Sequence, residues 1–376
     1  MMRWRRFAVN ERVIAAVYAF VTLFATAQKA WHHSNNNLRI YRASFWNLIS
    51  GTNLYALHPA QHADYFKYSP TFALMMAPFA VLPELASALV WNLCNVFALF
   101  AAVQLLPIAK EKRTLVLWLV LIELVISIEN FQSNAFVAAL IIATFIAFEC
   151  DSPELAGVFV ALSASIKIFG AAAAVLVLFY PRKRRFAVAT MSVLLLLAAL
   201  PLCVTSFATL ADQYRNWLNL LRADYVFPEK LSVMAWLHAW FGVNWGNKMV
   251  QATGLLLMLL PLIRLGKYGD ELFRLHFLSA LLIFLVIFNH KAESPMFIVA
   301  VTGVALWFVT STTNFWRIAL AGFVLLFTSL ASTDVVPRHV REMWMTPFAI
   351  KVFPCIAAWI VIEAELLLRR DWRRTA

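Results

Sequence analysis

Residues 155–180 read LAGVFVALSASIKIFGAAAAVLVLFY, an apolar run interrupted by a single cation, Lys167. A helix needs roughly 20 apolar residues to cross the hydrocarbon core of a bilayer, and this run is longer than that. A charge in the middle of a membrane helix is costly, whereas a lysine between two short helices reaches the membrane edge. The run therefore predicts a helical membrane protein whose chain enters and leaves on one side here, with two helices meeting near Lys167.

The composition of the whole chain agrees with that prediction. Of its 376 residues, 62% are hydrophobic and 14% are charged, against about 45–50% and about 25% in an ordinary soluble domain. These values exclude a soluble enzyme, and the 31 phenylalanines exclude a disordered chain. The four cysteines are too far apart in the sequence to predict a disulfide framework or a metal site. No nucleotide, magnesium or zinc motif is present, so we expect no cofactor, and the net charge of +12 does not by itself indicate nucleic acid.

Further apolar runs of span length, or close to it, follow one another along the chain. They lack the alternating pattern that membrane β-strands show. The predicted fold class is therefore an all-α, polytopic membrane protein. Besides residues 155–180, the runs are Val13–Trp31, Leu85–Pro107, Thr114–Ile128, Asn134–Phe148, Phe186–Thr205, Met249–Ile263, Leu275–Phe288, Met296–Thr310, Trp316–Leu330 and Pro347–Leu368.

Basic clusters orient these spans, because loops on the cytoplasmic side collect Lys and Arg. With every cluster inside, the chain has about 12 membrane helices, both termini are cytoplasmic, and Pro70–Pro83 lies at the outer surface. An alternative topology also gives twelve helices: Pro70–Pro83 spans and Leu155–Tyr180 is one long helix, which buries Lys167 and turns the Lys110–Arg113 loop outward. The first cluster precedes an apolar run without a small-residue cleavage site, which predicts an anchor. The clusters are Arg3/Arg5/Arg6/Arg12, Lys110/Lys112/Arg113, Arg182/Lys183/Arg184/Arg185, Arg264/Lys267/Arg274 and Arg369/Arg370/Arg373/Arg374.

Polar residues gather at what this topology makes the outer ends of the helices. They lie in the first outer loop (32–84), in the segment 129–134, at Lys167 and in the segment 289–295. Each has an ordinary explanation as a turn former, an interface anchor, a snorkelling lysine or a helix cap. Their convergence on one face nevertheless favours a site. The candidate substrate-binding residues are Lys167, Lys67, Gln132, Asn134, Tyr41, Tyr68 and Lys291.

The residue types at this face suit the transfer of a sugar from a lipid phosphate. Lysines bind phosphate, amides and aromatic rings suit sugar hydroxyls and sugar faces, and one carboxylate or imidazole takes a proton from the acceptor hydroxyl. The expected partners are a polyprenyl-phosphate-linked sugar and a glycolipid or glycan acceptor, within a bilayer and without nucleic acid. The candidate bases are Asp64, which neighbours Lys67 in the sequence, then Glu293 with His290, and also Glu129.

Several short motifs occur together in the order and spacing of a known family. They are Asn37 four residues before Tyr41, Gly51-x-x-Leu54-Tyr55, Tyr68-Ser69-Pro70 with an apolar run to Pro83, Gln132-x-Asn134, Ala156-Gly157 through Ile166-Lys167, and Lys230-Leu231-Ser232. From about residue 10 to about residue 310, the chain resembles glycosyltransferase family 87.

The resemblance implies a GT-C fold and a polyprenyl-phosphate-mannose donor. This chain departs from the family pattern at two positions. The family has a catalytic Asp where this chain has Asn37, and a Gly where it has Phe131. An Asn side chain does not accept a proton at neutral pH. If the protein is active, another residue takes the proton; if none does, the protein is an inactive scaffold member of the family.

We therefore expect one GT-C membrane domain over residues 1–376, with short surface helices in the first extracytoplasmic loop (32–84) and C-terminal helices over 296–368. The expected function is a multi-pass hexosyltransferase of the cytoplasmic membrane that acts on the outer face. A secondary transporter is a further alternative, although a transporter favours inverted repeats and a site near the middle of the membrane.

Overall fold

Long runs of apolar residues with few glycines or prolines inside them favour uninterrupted helices. The structure is a computed structural model, which describes residues 10–32, 34–224 and 231–372. Helix accounts for 77% of it, and the described residues contain no strand. The predicted all-α class is confirmed.

In the N-terminal part of the described chain, long helices alternate with the short helices of the first loop. A 3₁₀ helix over Ile168–Phe179 follows α8. The α-helices are α1 (Glu11–Trp31), α2 (Asn36–Ile49), α3 (Pro70–Met75), α4 (Ala77–Val81), α5 (Glu84–Gln104), α6 (Lys110–Glu129), α7 (Asn134–Glu149) and α8 (Pro153–Ile166).

The C-terminal part continues in the same way, with 3₁₀ turns after several helices and a π-helical stretch over Val324–Ser329. Its α-helices are α9 (Lys183–Ala199), α10 (Phe207–Asp224), α11 (Val233–Phe241), α12 (Asn247–Leu259), α13 (Glu271–Ile287), α14 (Phe297–Thr310), α15 (Phe315–Phe323), α16 (Arg338–Val340) and α17 (Phe353–Leu368).

Helix starts coincide with residues that satisfy the first backbone amides. Ser69 accepts the N–H of Phe72 at the start of α3, where Pro70 occupies the first helical position. Ser232 accepts the N–H of Ala235 at the start of α11. The last predicted run differs from the structure, because α17 begins only at Phe353 and the residues before it form turns rather than helix.

Four helical segments are long and apolar enough to cross a membrane: Glu11–Trp31, Glu84–Gln104, Lys183–Cys203 and Phe315–Ser332. Shorter apolar helices cover most of the other predicted runs, among them Asn134–Glu149 and Pro153–Ile166. The chain is therefore a helical membrane protein, whereas the count of about 12 helices stays a prediction.

The helix breaks at Lys167, as the opening sequence predicts. Lys167 has an extended backbone (φ −137°, ψ 124°) between α8 and the 3₁₀ helix. After it, the chain folds back so tightly that a Cβ on Gly170 would meet Ser163 Oγ at 2.1 Å. In a continuous helix these two residues would be about 10 Å apart. Gly170 permits the reversal that brings Lys167 to the ends of its two helices.

The chain divides into two compact units. The first unit comprises Ala15–Ala102 and Ser127–Phe227. The second unit comprises Met1–Ile14, Val103–Ile126 and Pro228–Ala376. Each has a buried apolar core, with Tyr18, Phe72 and Phe145 among the largest buried side chains of the first unit and Phe273, Phe297 and Trp307 among those of the second.

Candidate active site

Lys167 reaches from the helix break to the start of α7. Its Nζ donates to Asn134 Oδ1 at 2.6 Å and to Gln132 Oε1 at 3.2 Å. It also lies 5.6 Å from the centre of the Tyr68 ring, within the range of a cation–π interaction. In the part of the chain that the structure describes, its side-chain partners are neutral and none is a carboxylate. This half-buried ammonium therefore has no anionic partner there.

Two tyrosines complete this arrangement. Tyr68 Oη is 2.7 Å from Tyr41 Oη, and it donates to Gln132 Oε1 at 3.4 Å. Tyr55 Oη donates to the Tyr68 carbonyl at 2.9 Å. Burial raises the pKa of the Tyr55 phenol well above its usual value, so Tyr55 remains a neutral donor that anchors Tyr68. We call Tyr41, Tyr68, Gln132, Asn134 and Lys167 the Lys167 cluster.

The turn between α6 and α7 positions the two amides of the cluster. Phe131 is fully buried and adopts the left-handed conformation, with φ at 50°. Its carbonyl accepts from Trp91 Nε1 at 3.0 Å. A glycine adopts this conformation without strain, which explains physically why a Gly suits the position. Here the buried ring of Phe131 and the Trp91 hydrogen bond hold the turn instead.

The Tyr68-Ser69-Pro70 motif links the first loop to the helix break. Ser69 Oγ donates to the Ser165 carbonyl at 2.5 Å, two residues before Lys167, and it also caps α3. Each residue of the motif thus has a distinct role: Tyr68 contacts the lysine, Ser69 joins two elements, and Pro70 starts a helix.

Asn37 lies near this turn but uses its amide for a structural contact. Asn37 Nδ2 donates to the Asn130 carbonyl at 2.8 Å. This hydrogen bond joins α2 of the first loop to the segment that carries Gln132 and Asn134. The geometry agrees with the chemical expectation that Asn37 is not a base.

The two arginines of the first loop have protein partners. Arg42 donates to the carbonyls of Phe79, Ala80 and Leu82, with distances of 3.2, 3.4 and 2.7 Å. It thereby caps the C-terminal end of α4. Arg39 Nε lies 3.6 Å from Glu84 Oε1. Both arginines therefore have structural contacts within the described part of the chain.

Asp64 and Lys67, the other candidates of the first loop, have contacts outside the Lys167 cluster. Asp64 is exposed, and its Oδ1 accepts the N–H of Tyr65 at 2.7 Å. Lys67 is half-buried, and its carbonyl accepts from Trp217 Nε1 at 3.1 Å. The roles of Asp64 as a base and of Lys67 as a phosphate ligand stay predictions.

The remaining candidates belong to the second unit. His290 Nδ1 lies 3.2 Å from Gln251 Nε2, the backbone N–H of Lys291 donates to Asn289 Oδ1 at 2.9 Å, and Glu293 is exposed. These three residues share one loop between α13 and α14. Their roles in binding or proton transfer also stay predictions.

Sequence reasoning missed a buried ion pair in the second unit. Lys351 Nζ lies 2.9 Å from Glu123 Oε1 and 2.9 Å from Ser294 Oγ. Glu123 is completely buried, and Lys351 is 5% exposed. The available signal was a charge inside each of two apolar runs, which a membrane protein retains only with a partner. The pair joins α6 to the turn that precedes α17, and the hydrogen bond from Lys351 to Ser294 adds the segment that leads into α14.

The fold is that of a helical membrane protein. Its polar cluster lies at a helix break, so the candidate site is at the ends of the helices. A sequence-family model, that of glycosyltransferase family 87, matches residues 66–333, which is more than half of the chain. The chain therefore belongs to glycosyltransferase family 87, and it is a membrane glycosyltransferase. A comparison with curated proteins gives no match.

The matched region includes most of the cluster, namely Tyr68, Gln132, Asn134 and Lys167. Asn37 and Tyr41 precede it, so the family match does not bear on them. Lys230, from the last motif, lies outside the residues that the structure describes, and its neighbour Ser232 caps α11.

Proposed function

We propose that this glycosyltransferase moves a hexose, with mannose as the first candidate, from a polyprenyl-phosphate donor to a glycolipid or glycan acceptor. The observation that carries the proposal is the Lys167 ammonium, which is held by neutral groups and has no carboxylate partner among the described residues. The phosphate of such a donor is anionic and gains charge as the sugar leaves. A pre-positioned ammonium stabilises that developing charge.

The other members of the cluster suit the sugar. Gln132 Oε1 accepts from both Lys167 and Tyr68, which leaves the amide nitrogen of Gln132 as a donor for a sugar oxygen. Tyr68 offers an aromatic ring, the buried Tyr41 holds the Tyr68 phenol, and both remain candidate contacts of the sugar. Lys67 and Lys291 remain candidate helpers in binding the phosphate.

The distribution of charge in the first unit supports a position on the outer face. α7 and α8 run between the Lys167 cluster at one end and Asp151 and Glu154 near the other. At that second end, Arg182 lies 2.8 Å from Asp151 and Arg185 lies 3.7 Å from Glu154. Because basic residues collect in the cytoplasm, the proposal places this end inside and the Lys167 cluster outside.

The proposal includes a GT-C bundle of about 12 membrane helices with both termini in the cytoplasm. It also includes a single domain that acts in the cell membrane. It further requires an outer groove open to lipid, in which a polyprenyl chain lies beside its phosphate.

The test is to incubate purified protein with polyprenyl-phosphate mannose and a membrane lipid extract. We expect free polyprenyl phosphate and labelled mannose in a lipid or glycan product, and a polyprenyl-phosphate glucose donor checks the choice of sugar. Binding of the donor without its consumption would favour the inactive scaffold. Movement of intact donor across vesicle membranes would favour the transporter.

A further inference from the structure

Glu129 stands on the same short segment as the two residues that hold Lys167. It is the last residue of α6, and Gln132 and Asn134 follow within the next turn. The N–H of Phe131 donates to the Ile128 carbonyl at 2.9 Å, and that of Gln132 donates to the Ser127 carbonyl at 3.2 Å. These hydrogen bonds close the turn, so they fix Glu129 relative to the Lys167 cluster.

The carboxylate of Glu129 is accessible and only loosely paired. Its side chain is 33% exposed, and its Oε2 lies 3.9 Å from Lys29 Nζ. That distance is at the outer limit of an ion pair, and partly exposed pairs of this kind contribute little. Glu129 therefore has room for a hydroxyl group of a substrate.

Asn37 brings the first loop to this same turn. Its amide donates to the carbonyl of Asn130, the residue directly after Glu129. Asn37 cannot take a proton, but its hydrogen bond holds α2 next to the end of α6. The turn that carries the Glu129 carboxylate is thus contacted both by Lys167 and by the first loop.

We infer that Glu129 is the base that accepts the proton of the acceptor hydroxyl, an inference that rests on the proposed function. The acceptor oxygen forms a bond to the anomeric carbon of the donor while its proton passes to Glu129. The bond between that carbon and the phosphate oxygen breaks, and its electron pair leaves with the phosphate. Lys167 stabilises this leaving group, and the proton on Glu129 passes to water afterwards.

The other carboxylates of the first unit, among the side chains that the structure describes, are less suitable. Glu84 is engaged by Asn35 and Arg39, and Asp212 pairs with Arg215 in α10. Glu149, Asp151 and Glu154 lie at the end of α7 and α8 that is opposite the cluster. Asp64 accepts a local hydrogen bond in the first loop. Glu129 alone among them belongs to the turn that carries Gln132 and Asn134.

The experiment compares Glu129→Gln with Asp212→Asn, a change of an exposed carboxylate in the same unit. Full-length protein in detergent is given polyprenyl-phosphate mannose, and donor binding and polyprenyl phosphate release are measured separately. We expect Glu129→Gln to bind donor normally but to lose turnover by about a hundred-fold or more. Asp212→Asn keeps both. In Glu129→Ala, added formate restores turnover, because formate supplies the missing carboxylate.

The outcomes distinguish this inference from the proposed function. A wild-type protein that releases no polyprenyl phosphate overturns both. If the wild type is active and Glu129→Gln retains its turnover, the inference is wrong while the proposed function stands. Loss of turnover in Asp64→Asn or Glu293→Gln but not in Glu129→Gln would place the base in one of those loops. A loss in Glu129→Ala that formate does not restore would assign Glu129 a structural role only.

Discussion

Replacing Lys167 with Met removes the charge of the cluster while keeping a long unbranched side chain. Two hydrogen bonds are lost, those of 2.6 Å to Asn134 and 3.2 Å to Gln132. A charge-assisted contact with an anionic donor contributes about 1.5–3 kcal/mol, which corresponds to roughly a ten- to hundred-fold change in the dissociation constant. We therefore expect the affinity for polyprenyl phosphate to fall by about that factor.

The same change removes the Lys167 donor from the buried Asn134 Oδ1, whereas Gln132 Oε1 keeps Tyr68, and this loss costs about 1–3 kcal/mol of stability. Affinity must therefore be compared in folded protein, at a temperature well below the unfolding midpoint of each variant. Lys167→Arg keeps the charge and is expected to retain much of the affinity. Lys183→Met, which removes an exposed cation at the start of α9, serves as the matched control.

The assay is equilibrium binding of fluorescent or radiolabelled polyprenyl phosphate to protein in detergent or nanodiscs. An unchanged affinity in folded Lys167→Met would refute the phosphate role and return Lys167 to that of a lysine that merely reaches the membrane surface. A loss of the same size in Lys183→Met would show that the assay measures nonspecific attraction to positive charge.

Three further predictions concern topology and stability. In intact cells, Lys112→Cys is expected to react with a membrane-impermeant thiol reagent only after the cells are opened, and labelling from outside would favour the alternative topology. Ser69→Ala removes the cap of α3 and the bond to Ser165, so thermal unfolding in detergent is expected to show a loss of about 1–2 kcal/mol; an unchanged midpoint would contradict the linking role. Lys351→Met leaves the buried Glu123 carboxylate without its cation and is expected to lower the free energy of unfolding by about 3–5 kcal/mol. The double variant Lys351→Met/Glu123→Leu is expected to recover most of that stability. A double variant as unstable as the single one would argue against the ion pair as the cause of the loss.

Much of the Lys167 cluster could be predicted from the sequence, because the signals are local. A lysine inside an apolar run favours a helix break, because a charge is costly within the membrane, and the structure places that break at Lys167. Gln132 and Asn134 stand in a short polar segment between two apolar runs, so their place at helix ends follows from the spans. Their direct contact with Lys167 does not follow from the sequence, because it depends on how α7 packs beside α8.

Other features depend on contacts between residues far apart in the chain. Lys351 and Glu123 are 228 positions apart, and the sequence near each residue does not indicate which residue pairs with it. Arg42 caps α4 from a position 40 residues away from Leu82 in the first loop. The left-handed Phe131 is likewise hidden from the sequence, because a bulky residue rarely takes that conformation unless its surroundings hold it there.

The most direct test of the central claim is a structure of the protein with a polyprenyl-phosphate sugar bound in a membrane mimetic. The account predicts the donor phosphate within hydrogen-bonding distance of Lys167 Nζ, with the sugar beside Gln132, Asn134 and Tyr68. A phosphate bound elsewhere, with Lys167 still held by its two amide carbonyls and no ligand beside it, would contradict the account.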